Sequence, residues 1–342
     1  MKPKDMILSF AFFSQTGIGV LGNSFLIFLF LSVFLSGQRL RSIDTIVTQL
    51  AMANCLGLLS KGIPQAMTTL GLTNFLDDIG CKTVFYLHRV ARSLSVSMTC
   101  LLSAFQAITI SPRNSNFVEL KARILKYLVP FSLFCWTSHL LLNVCVAWGM
   151  KGPRHSRNMT DIQHYGYCSH EIHSRFYASL FTTIFSFPDA VCLGFMVSSS
   201  GYMVILLYRH HKQIQQIHST CLSPKFSPET RATKAILLLV STFLISYLLN
   251  CILTANMAFI KFPLGLMHTS AFLNSSFPAV CPYVLISSDS QIHRYFYALR
   301  GRNIPHFKTG SPCISSMHCG CKKVPIRVKE YLHQVKPECI SR

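Results

Sequence analysis

The chain has 342 residues, of which 50% are hydrophobic and 13% are charged, about half the share of charged residues in an ordinary soluble domain. So few charges cannot cover the surface of a soluble globular protein, and the composition indicates a chain whose surroundings are largely lipid. The net charge of +20 would favour nucleic-acid binding in a soluble protein. In a membrane protein, lysine and arginine instead collect in the loops on the cytoplasmic side and set the orientation.

Seven apolar stretches are long enough to form helices that cross a bilayer, which takes about 20 residues. They are residues 7–35, 45–71, 82–110, 124–148, 176–208, 232–259 and 266–287. Lysine and arginine are concentrated after the first, third, fifth and seventh stretches, so the positive-inside rule places the N-terminus outside and the C-terminus in the cytoplasm. We expect an all-α membrane protein with a seven-helix bundle over residues 1–290. A basic cytoplasmic tail, residues 291–342, is expected to be disordered. Because the orientation accounts for much of the positive charge, no nucleic-acid partner is expected.

Two cysteines are predicted to lie on the outer face. Cys81 starts the third stretch and Cys168 lies in the long loop before the fifth, so both would face the oxidising side of the membrane. A disulfide between them would tie that loop to the third helix. The alternative is two unpaired thiols, and the shared face favours pairing. The same loop contains the sequon Asn158-Met159-Thr160, and we expect Asn158 to carry a glycan.

Motifs of common enzymes and metalloproteins are missing from the sequence. It contains no phosphate-binding loop, no HExxH zinc spacing and no Ser/His/Asp signature. The run HCGC at residues 318–321 lacks four regularly spaced ligands, so a chance cluster is the better interpretation. No enzyme activity, cofactor or metal site is therefore expected.

Five ionisable side chains fall inside the predicted spans, where a charge near the bilayer centre costs roughly 2.5–3.5 kcal/mol on insertion scales. Lys61 lies in the second span, His88, Arg89 and Arg92 lie in the outer third of the third, and Asp189 lies about halfway along the fifth. One hypothesis is that these groups line a ligand cavity in the outer half, where Asp189 neutralises Arg92 or Lys61. Such a cavity would hold surplus positive charge and suit acidic or sulfated molecules, or polar oxygens of steroid-like ones. The alternative is that the cations are structural and reach outward or pair with backbone carbonyls.

The motifs of the spans depart from those of the usual rhodopsin-type receptor. Such a receptor has Asp in the second span, Asp-Arg-Tyr after the third, Cys-Trp-x-Pro in the sixth and Asn-Pro-x-x-Tyr in the seventh. This chain has Asn54 near the Asp position, FQAITISP at 105–112, LLLVSTFLISYLLN in the sixth span and FPAVCPYVLI at 277–286.

These replacements resemble one family, the vomeronasal type-1 receptors, which detect pheromones. The stretches that carry the resemblance are LLSKGIPQ, GCKTVFYLHRVARSLS, TCLLSAFQAITISPRNS, SSSGYMVILLYRH, SPETRATKAILLLVS and FPAVCPYVLI. The resemblance implies a rhodopsin-like G-protein-coupled receptor in the plasma membrane of sensory neurons. It also implies small organic chemosignals as ligands and an inhibitory-class heterotrimeric G protein as partner. Because SKGIPQ and HRVAR are common to the family, the resemblance favours a structural role for the cations over ligand contact.

A basic surface is predicted at the inner ends of the third, fifth and sixth spans, where the G protein would bind. Its residues are Arg113, Arg209, His210, His211, Lys212, Arg231 and Lys234. A basic patch attracts both anionic lipid and acidic partner surfaces. Lipid contact alone is the alternative role for these side chains.

Two features distinguish the chain from the usual members of this family. Pro188 stands where the family usually has an arginine, which removes a charge beside Asp189, and the tail beyond about residue 290 is longer. A non-signalling relic of the family is therefore one alternative function. A transporter or ion relay that uses Lys61, Arg92 and Asp189 is another, but seven spans without an evident internal repeat argue against it.

Overall fold

The computed structural model describes residues 3–72, 75–112, 115–145, 150–152, 162–164, 167–171, 175–217, 228–259 and 264–302. These residues form seven long helices and a shorter eighth. The helices are α1 (Pro3–Leu35), α2 (Ser42–Thr69), α3 (Asp78–Ile110), α4 (Ser115–Leu142), α5 (Arg175–Ile217), α6 (Pro228–Phe259), α7 (Leu264–Ser288) and α8 (Ser290–Arg302). Each predicted span overlaps one of the seven long helices. Within the described residues, five stretches of α1, α2, α3, α5 and α6 are long and apolar enough to cross a membrane.

Local sequence explains where α3 begins and ends. The carboxylate of Asp77 accepts a hydrogen bond from the backbone N–H of Gly80 at 2.7 Å, so Asp77 caps the start of the helix. Ser111 at the other end is extended, with φ −60° and ψ 140°. Pro112 follows it, and a proline disfavours the helical conformation of the residue before it. The helix therefore ends where the sequence predicted.

A small antiparallel sheet lies at the N-terminal end of α3. Its strands are β1 (Met150–Lys151), β2 (Ile162–His164) and β3 (Ser169–Glu171), in the order β1-β3-β2. Cys81 and Cys168 form a disulfide bond with their Cα atoms 5.8 Å apart, which confirms the predicted pair. Asp78 accepts a further hydrogen bond from the N–H of Gly152 at 2.6 Å. The loop between α4 and α5 is thus fixed to α3 at two points.

The outward faces of the long helices are apolar. Large side chains are widely exposed, among them Phe10 (75%), Phe28 (68%), Leu141 (73%) and Phe195 (62%). A water-soluble monomer rarely exposes contiguous apolar surface of this extent, whereas a helix that faces lipid requires it. The protein is therefore an all-α membrane protein whose only described sheet is the short one in the loop.

Small residues bring α1 close to α7. A Cβ atom on Gly19 would stand 2.9 Å from the Cα of Ala279, and one on Gly22 would stand 2.8 Å from Cγ of Pro282. Helices in lipid associate largely through such close van der Waals packing at small residues. This packing sets the position of α7 against α1, and α7 supplies one wall of the cavity described below.

Helix α8 covers residues that the sequence analysis assigned to a disordered tail. It runs from Ser290 to Arg302, and residues 303–342 lie outside the described part of the chain. Asp289 precedes this helix, and its carboxylate accepts a hydrogen bond from the N–H of Gln291 at 2.8 Å. An N-terminal cap at this position explains why a new helix starts directly after α7.

Candidate functional site

A cavity lies between α2, α3, α6 and α7, near the middle of the bundle. The space between its walls, together with the open solvent at its mouth, amounts to about 570 Å3. Its polar lining consists of Asn54, His88, Arg92, Ser95, Ser246, Asn274 and Ser275. Phe243, Tyr247 and Phe277 form an aromatic wall. Such a combination of aromatic surface and a few convergent polar groups is typical of small-molecule sites.

His88 and Arg92 enter the cavity from the same face of α3, because residues four apart in a helix are neighbours. The guanidinium carbon of Arg92 lies 5.1 Å from the centre of the Tyr247 ring, within the range of a cation–π interaction. Nε2 of His88 lies 3.4 Å from Nδ2 of Asn274. The imidazole of His88 is buried, and the backbone of Gly57 lies close to it. The polar end of the cavity thus presents a cation and an imidazole.

The floor of the cavity is a chain of hydrogen bonds across four helices. The hydroxyl of Ser95 donates to Oδ1 of Asn54 at 2.9 Å, and Nδ2 of Asn54 donates to Oδ1 of Asn23 at 3.4 Å. Asn23 in turn donates to the carbonyl of Pro278 at 2.9 Å. This carbonyl is free because Pro282, four residues later, has no N–H to donate to it. The polar side chains therefore satisfy a backbone group that the proline in α7 leaves without its helical partner.

The aromatic wall is held by contacts among its own rings. The rings of Phe243 and Phe277 meet edge to face with centroids 4.7 Å apart, and those of Phe243 and Tyr247 stack at 6.0 Å. Such ring pairs contribute about 0.5–1.5 kcal/mol beyond the area that they bury. The wall joins α6 to α7, so an occupant of the cavity would contact both helices.

The charges predicted within the spans gather on one side of this cavity. Lys61 and His88 lie within electrostatic range of Arg92, and His88 also lies within range of Arg89. Asp189, which is 6% exposed, lies within electrostatic range of Arg92 and Arg89. It forms no direct ion pair with Arg92 within the described residues. Among the described lining residues, only His88 and Arg92 come from the five predicted ligand-binding positions.

Lys61 has cations rather than acids as its charged neighbours. It forms no hydrogen bond or ion pair within the described part of the chain. The charged group that acts on it electrostatically is Arg92. The positive charge of Lys61 and Arg92 is therefore larger than Asp189 alone can neutralise. Surplus positive charge beside a cavity attracts an anion.

Two further side chains of the long helices lie away from the cavity. His139 on α4 accepts or donates a hydrogen bond with Ser97 at 2.8 Å and is 9% exposed, so it is a packing residue between α3 and α4. Phe187 on α5 is 68% exposed on the outer face of the bundle. Neither side chain belongs to the described lining of the cavity.

The predicted G-protein-facing residues fall at the ends of α5 and α6. Arg209, His210, Lys212 and Lys234 are exposed. The side chains of His211 and Arg231, like Arg113 and the predicted glycosylation site Asn158, lie outside the described residues.

Several polar lining residues were not predicted from the sequence. Asn274 and Ser275 lie within the seventh predicted span. Two such polar residues inside an apolar span are themselves a signal of a protein-facing side, since lipid offers them no partner. Ser95 is one of several serines along α3, and nothing in the sequence distinguishes it from the others.

The comparisons with known proteins agree on one family. A profile described as the Vomeronasal organ pheromone receptor family matches residues 6–298. The chain is 43% identical over 286 residues to Vomeronasal type-1 receptor 4 of Homo sapiens, which covers 83% of this chain and 95% of the relative. It is 43% identical over 309 residues to Vomeronasal type-1 receptor 3 of Homo sapiens, covering 90% and 98%. A more distant relative is Olfactory receptor class A-like protein 1 of Danio rerio, 30% identical over 284 residues and covering 82% and 89%.

The helical bundle, its apolar outer surface and its disulfide-anchored loop define a multi-pass membrane receptor of the G-protein-coupled type. The chain belongs to the vomeronasal type-1 receptor family, and the resemblance seen in the sequence is confirmed.

Proposed function

We propose that this protein is a chemosensory receptor that binds small organic chemosignals in the cavity between α2, α3, α6 and α7. On occupation of the cavity it activates a heterotrimeric G protein of the inhibitory class. The family supports the receptor role, and the geometry of the cavity supports the position of the ligand. The observation that carries the proposal is the placement of Arg92 and His88 in the cavity lining.

The surplus positive charge favours ligands that carry a carboxylate, a sulfate or another polar oxygen. Arg92 faces the cavity and Lys61 stands near it, while Asp189 is the acid that lies in electrostatic range of Arg92. The aromatic wall would contact the apolar body of such a molecule, and the amide and hydroxyl groups of Asn274 and Ser246 would orient it.

The receptor is proposed to lie in the plasma membrane of sensory neurons with its N-terminus outside and its C-terminus in the cytoplasm. The concentration of lysine and arginine in the loops after α1, α3 and α5 supports this orientation. The G protein would then meet the exposed basic residues Arg209, His210 and Lys212 of α5 and Lys234 of α6. A basic surface suits the acidic surface of a partner.

The proposal is tested by nucleotide exchange on purified G proteins in membranes that carry this chain. Fractionated animal secretions supply the ligands, and a panel of G-protein classes shows which class responds. Exchange above that of empty membranes, strongest for the inhibitory class, is expected. Loss of the response in Cys81→Ser, which breaks the anchor of the outer loop, would link the response to the folded receptor.

Substitution at Arg92 tests the cavity. Arg92→Gln removes the charge and keeps a polar side chain, so an acidic ligand is expected to lose about 10-fold to 100-fold in potency, because charge-assisted hydrogen bonds contribute about 1.5–3 kcal/mol. A neutral ester of the same ligand should lose far less. Lys82→Gln is the matched control, because Lys82 is exposed near the outer end of the same helix and does not line the cavity. Equal losses for both variants would contradict the assignment of Arg92.

A protein that does not respond would contradict the receptor proposal and lead to a test of transport. If the protein reaches the cell surface and no G protein responds to any fraction, the receptor proposal fails for those ligands. An ion-flux assay on the same membranes then tests the transport alternative, with Asp189→Asn as the variant that removes the proposed relay acid.

A further inference from the structure

The cytoplasmic ends of α2 and α7 and the start of α8 meet at a cluster of charged and polar side chains. We call this cluster the Arg41 junction, and it consists of Arg41, Asp44, Asp289 and Tyr295. The guanidinium of Arg41 forms ion pairs with Asp44 and with Asp289, each at 2.6 Å. The hydroxyl of Tyr295 donates to Asp44 at 3.1 Å.

One half of the junction is fixed within α2. Asp44 is 1% exposed and accepts hydrogen bonds from both the backbone N–H and the side chain of Arg41. The two residues lie three apart in the first turn, where an acidic side chain also complements the positive end of the helix dipole. Arg41 is thus held on α2 independently of α7 and α8.

The other half of the junction is open to water. The Arg41–Asp289 contact is the single ion pair that joins α2 to the start of α8 within the described residues, and its side chains are 37% and 26% exposed. Exposed ion pairs are weakened by water and salt, so this contact breaks more easily than the buried one. Loss of the contact leaves Asp44 paired with Arg41 on the same helix, so opening leaves no buried charge without a partner.

Arg41 stays charged and hydrogen-bonded in the closed arrangement. Burial alone would lower the pKa of Arg41, but its hydrogen bonds to Asp44 and Asp289 raise that pKa above its usual value. Burial and then the adjacent Asp44 carboxylate raise the pKa of Tyr295, so its hydroxyl remains a donor.

Helix α7 connects this junction to the cavity. Pro278 and Pro282 lie between the cavity and Asp289, and prolines are the usual sites of helix bends. Pro278 lines the cavity itself, and its carbonyl receives the hydrogen bond of Asn23. A shift of the outer half of α7 on ligand binding can therefore be absorbed at the prolines or passed to the Arg41–Asp289 contact.

We propose that the Arg41 junction is a latch that holds the cytoplasmic end of α7 and the start of α8 against α2, and that release of its exposed half favours the signalling state. This inference rests on the proposed receptor function. It assigns to Arg41, Asp289 and Tyr295 a role that was not predicted from the sequence.

The test combines two measurements on the full-length protein in lipid nanodiscs. Hydrogen–deuterium exchange of the amides of residues 290–302 reports whether α8 is held. Ligand-independent nucleotide exchange on the G protein reports whether release promotes signalling. Asp289→Asn is the main variant, because asparagine caps a helix about as well as aspartate while it removes the charge. Arg41→Gln removes the other partner, and Arg39→Gln is the matched control, because Arg39 is an exposed arginine in the same loop.

Faster amide exchange in α8, by about threefold or more, together with raised basal nucleotide exchange in Asp289→Asn and Arg41→Gln, is expected. Tyr295→Phe keeps the edge-to-face contact of this ring with Phe30 and should give a smaller effect of the same sign. Unchanged amide exchange in α8 would overturn the latch. Faster amide exchange with basal signalling equal to that of Arg39→Gln would show a structural brace and also overturn it. If the unsubstituted protein supports no nucleotide exchange with any ligand or G protein, the receptor proposal fails, and the amide exchange still shows whether the ion pair holds α8.

Discussion

Asn54 shows how one side chain can join four helices without a charge. It accepts a hydrogen bond from Ser95 of α3 and donates one to Asn23 of α1. Asn23 in turn donates a hydrogen bond to the carbonyl of Pro278 in α7. Asn54 is 1% exposed, so no water replaces these partners. A neutral amide suits this role because it offers both a donor and an acceptor, whereas a carboxylate offers acceptors alone.

The substitution Asn54→Ala is expected to lower the free energy of unfolding by about 1–2 kcal/mol, because it leaves Ser95 and Asn23 with unmet hydrogen-bonding groups. Thermal unfolding in detergent, followed through the reaction of buried thiols such as Cys281 with a fluorescent reagent, measures the change. Ser198→Ala is the control, since within the described part of the chain Ser198 bonds only to the carbonyl of Gly194 in its own helix. A loss no larger than in Ser198→Ala would show that the network does not stabilise the bundle.

At the scale of whole elements, the position of α1 against α7 depends on two glycines. Gly19 allows the backbone of α7 to approach, and Gly22 accommodates Pro282. Because α7 carries both prolines and part of the cavity lining, this contact places functional groups as well as packing the bundle.

The substitution Gly19→Ala is expected to destabilise the protein by about 1–3 kcal/mol through overpacking. The added methyl would stand 2.9 Å from the Cα of Ala279, and a backbone atom cannot move aside as a flexible side chain can. Gly17→Ala provides the control in the same helix, because a Cβ there meets nothing within 4 Å. In Gly17→Ala the better helix propensity of alanine should leave stability unchanged or slightly improved. Equal stability of the two variants would refute the close approach.

The loop between α4 and α5 is the second element whose position is set by a few contacts. Its strand β3 follows Cys168, which is bonded to Cys81 at the start of α3, and both cysteines are buried with Tyr167. The bond links residues 87 positions apart in the chain.

Replacement of either cysteine alone already removes this bond. Cys81→Ser, Cys168→Ser and the double variant are therefore expected to lower the free energy of unfolding by the same amount, about 2–4 kcal/mol. Thermal unfolding and surface expression, compared with Cys145→Ser on an exposed free cysteine, measure the loss. A double variant that loses about twice as much as either single variant would mean that the two cysteines contribute separately.

At the scale of the whole molecule, the lysine and arginine residues in the loops predict the orientation of the protein in the membrane. The N-terminus and the loop before α5 are predicted to face outward. An epitope tag at the N-terminus should therefore bind antibody on intact cells, whereas one at the C-terminus should require permeabilised cells. Asn158→Gln should abolish a glycosidase-sensitive mass shift, with Asn274→Gln as a control that lies within a helix and should leave the shift unchanged. Antibody access to the C-terminal tag on intact cells would reverse the topology.

The helices and their approximate limits were predictable because they depend on local composition. An apolar run of about 20 residues must satisfy its own backbone hydrogen bonds in lipid, and this requires a helix wherever the run occurs. Cys81 and Cys168 were predictable because the topology places both on one face. The start of α8 was missed, since its short amphipathic sequence is too weak a signal beside a long polar tail.

The residues of the cavity and of the Arg41 junction could be assigned only from the tertiary structure. Lys61, Arg89 and Asp189 were predicted with His88 and Arg92 as one group, yet only the last two are among the described lining residues. Arg41 and Asp289 lie 248 positions apart, and no local pattern relates them. Hydropathy determines that a segment crosses the bilayer, but the rotation of a helix about its axis decides which side chains meet, and that rotation depends on packing among all neighbouring helices.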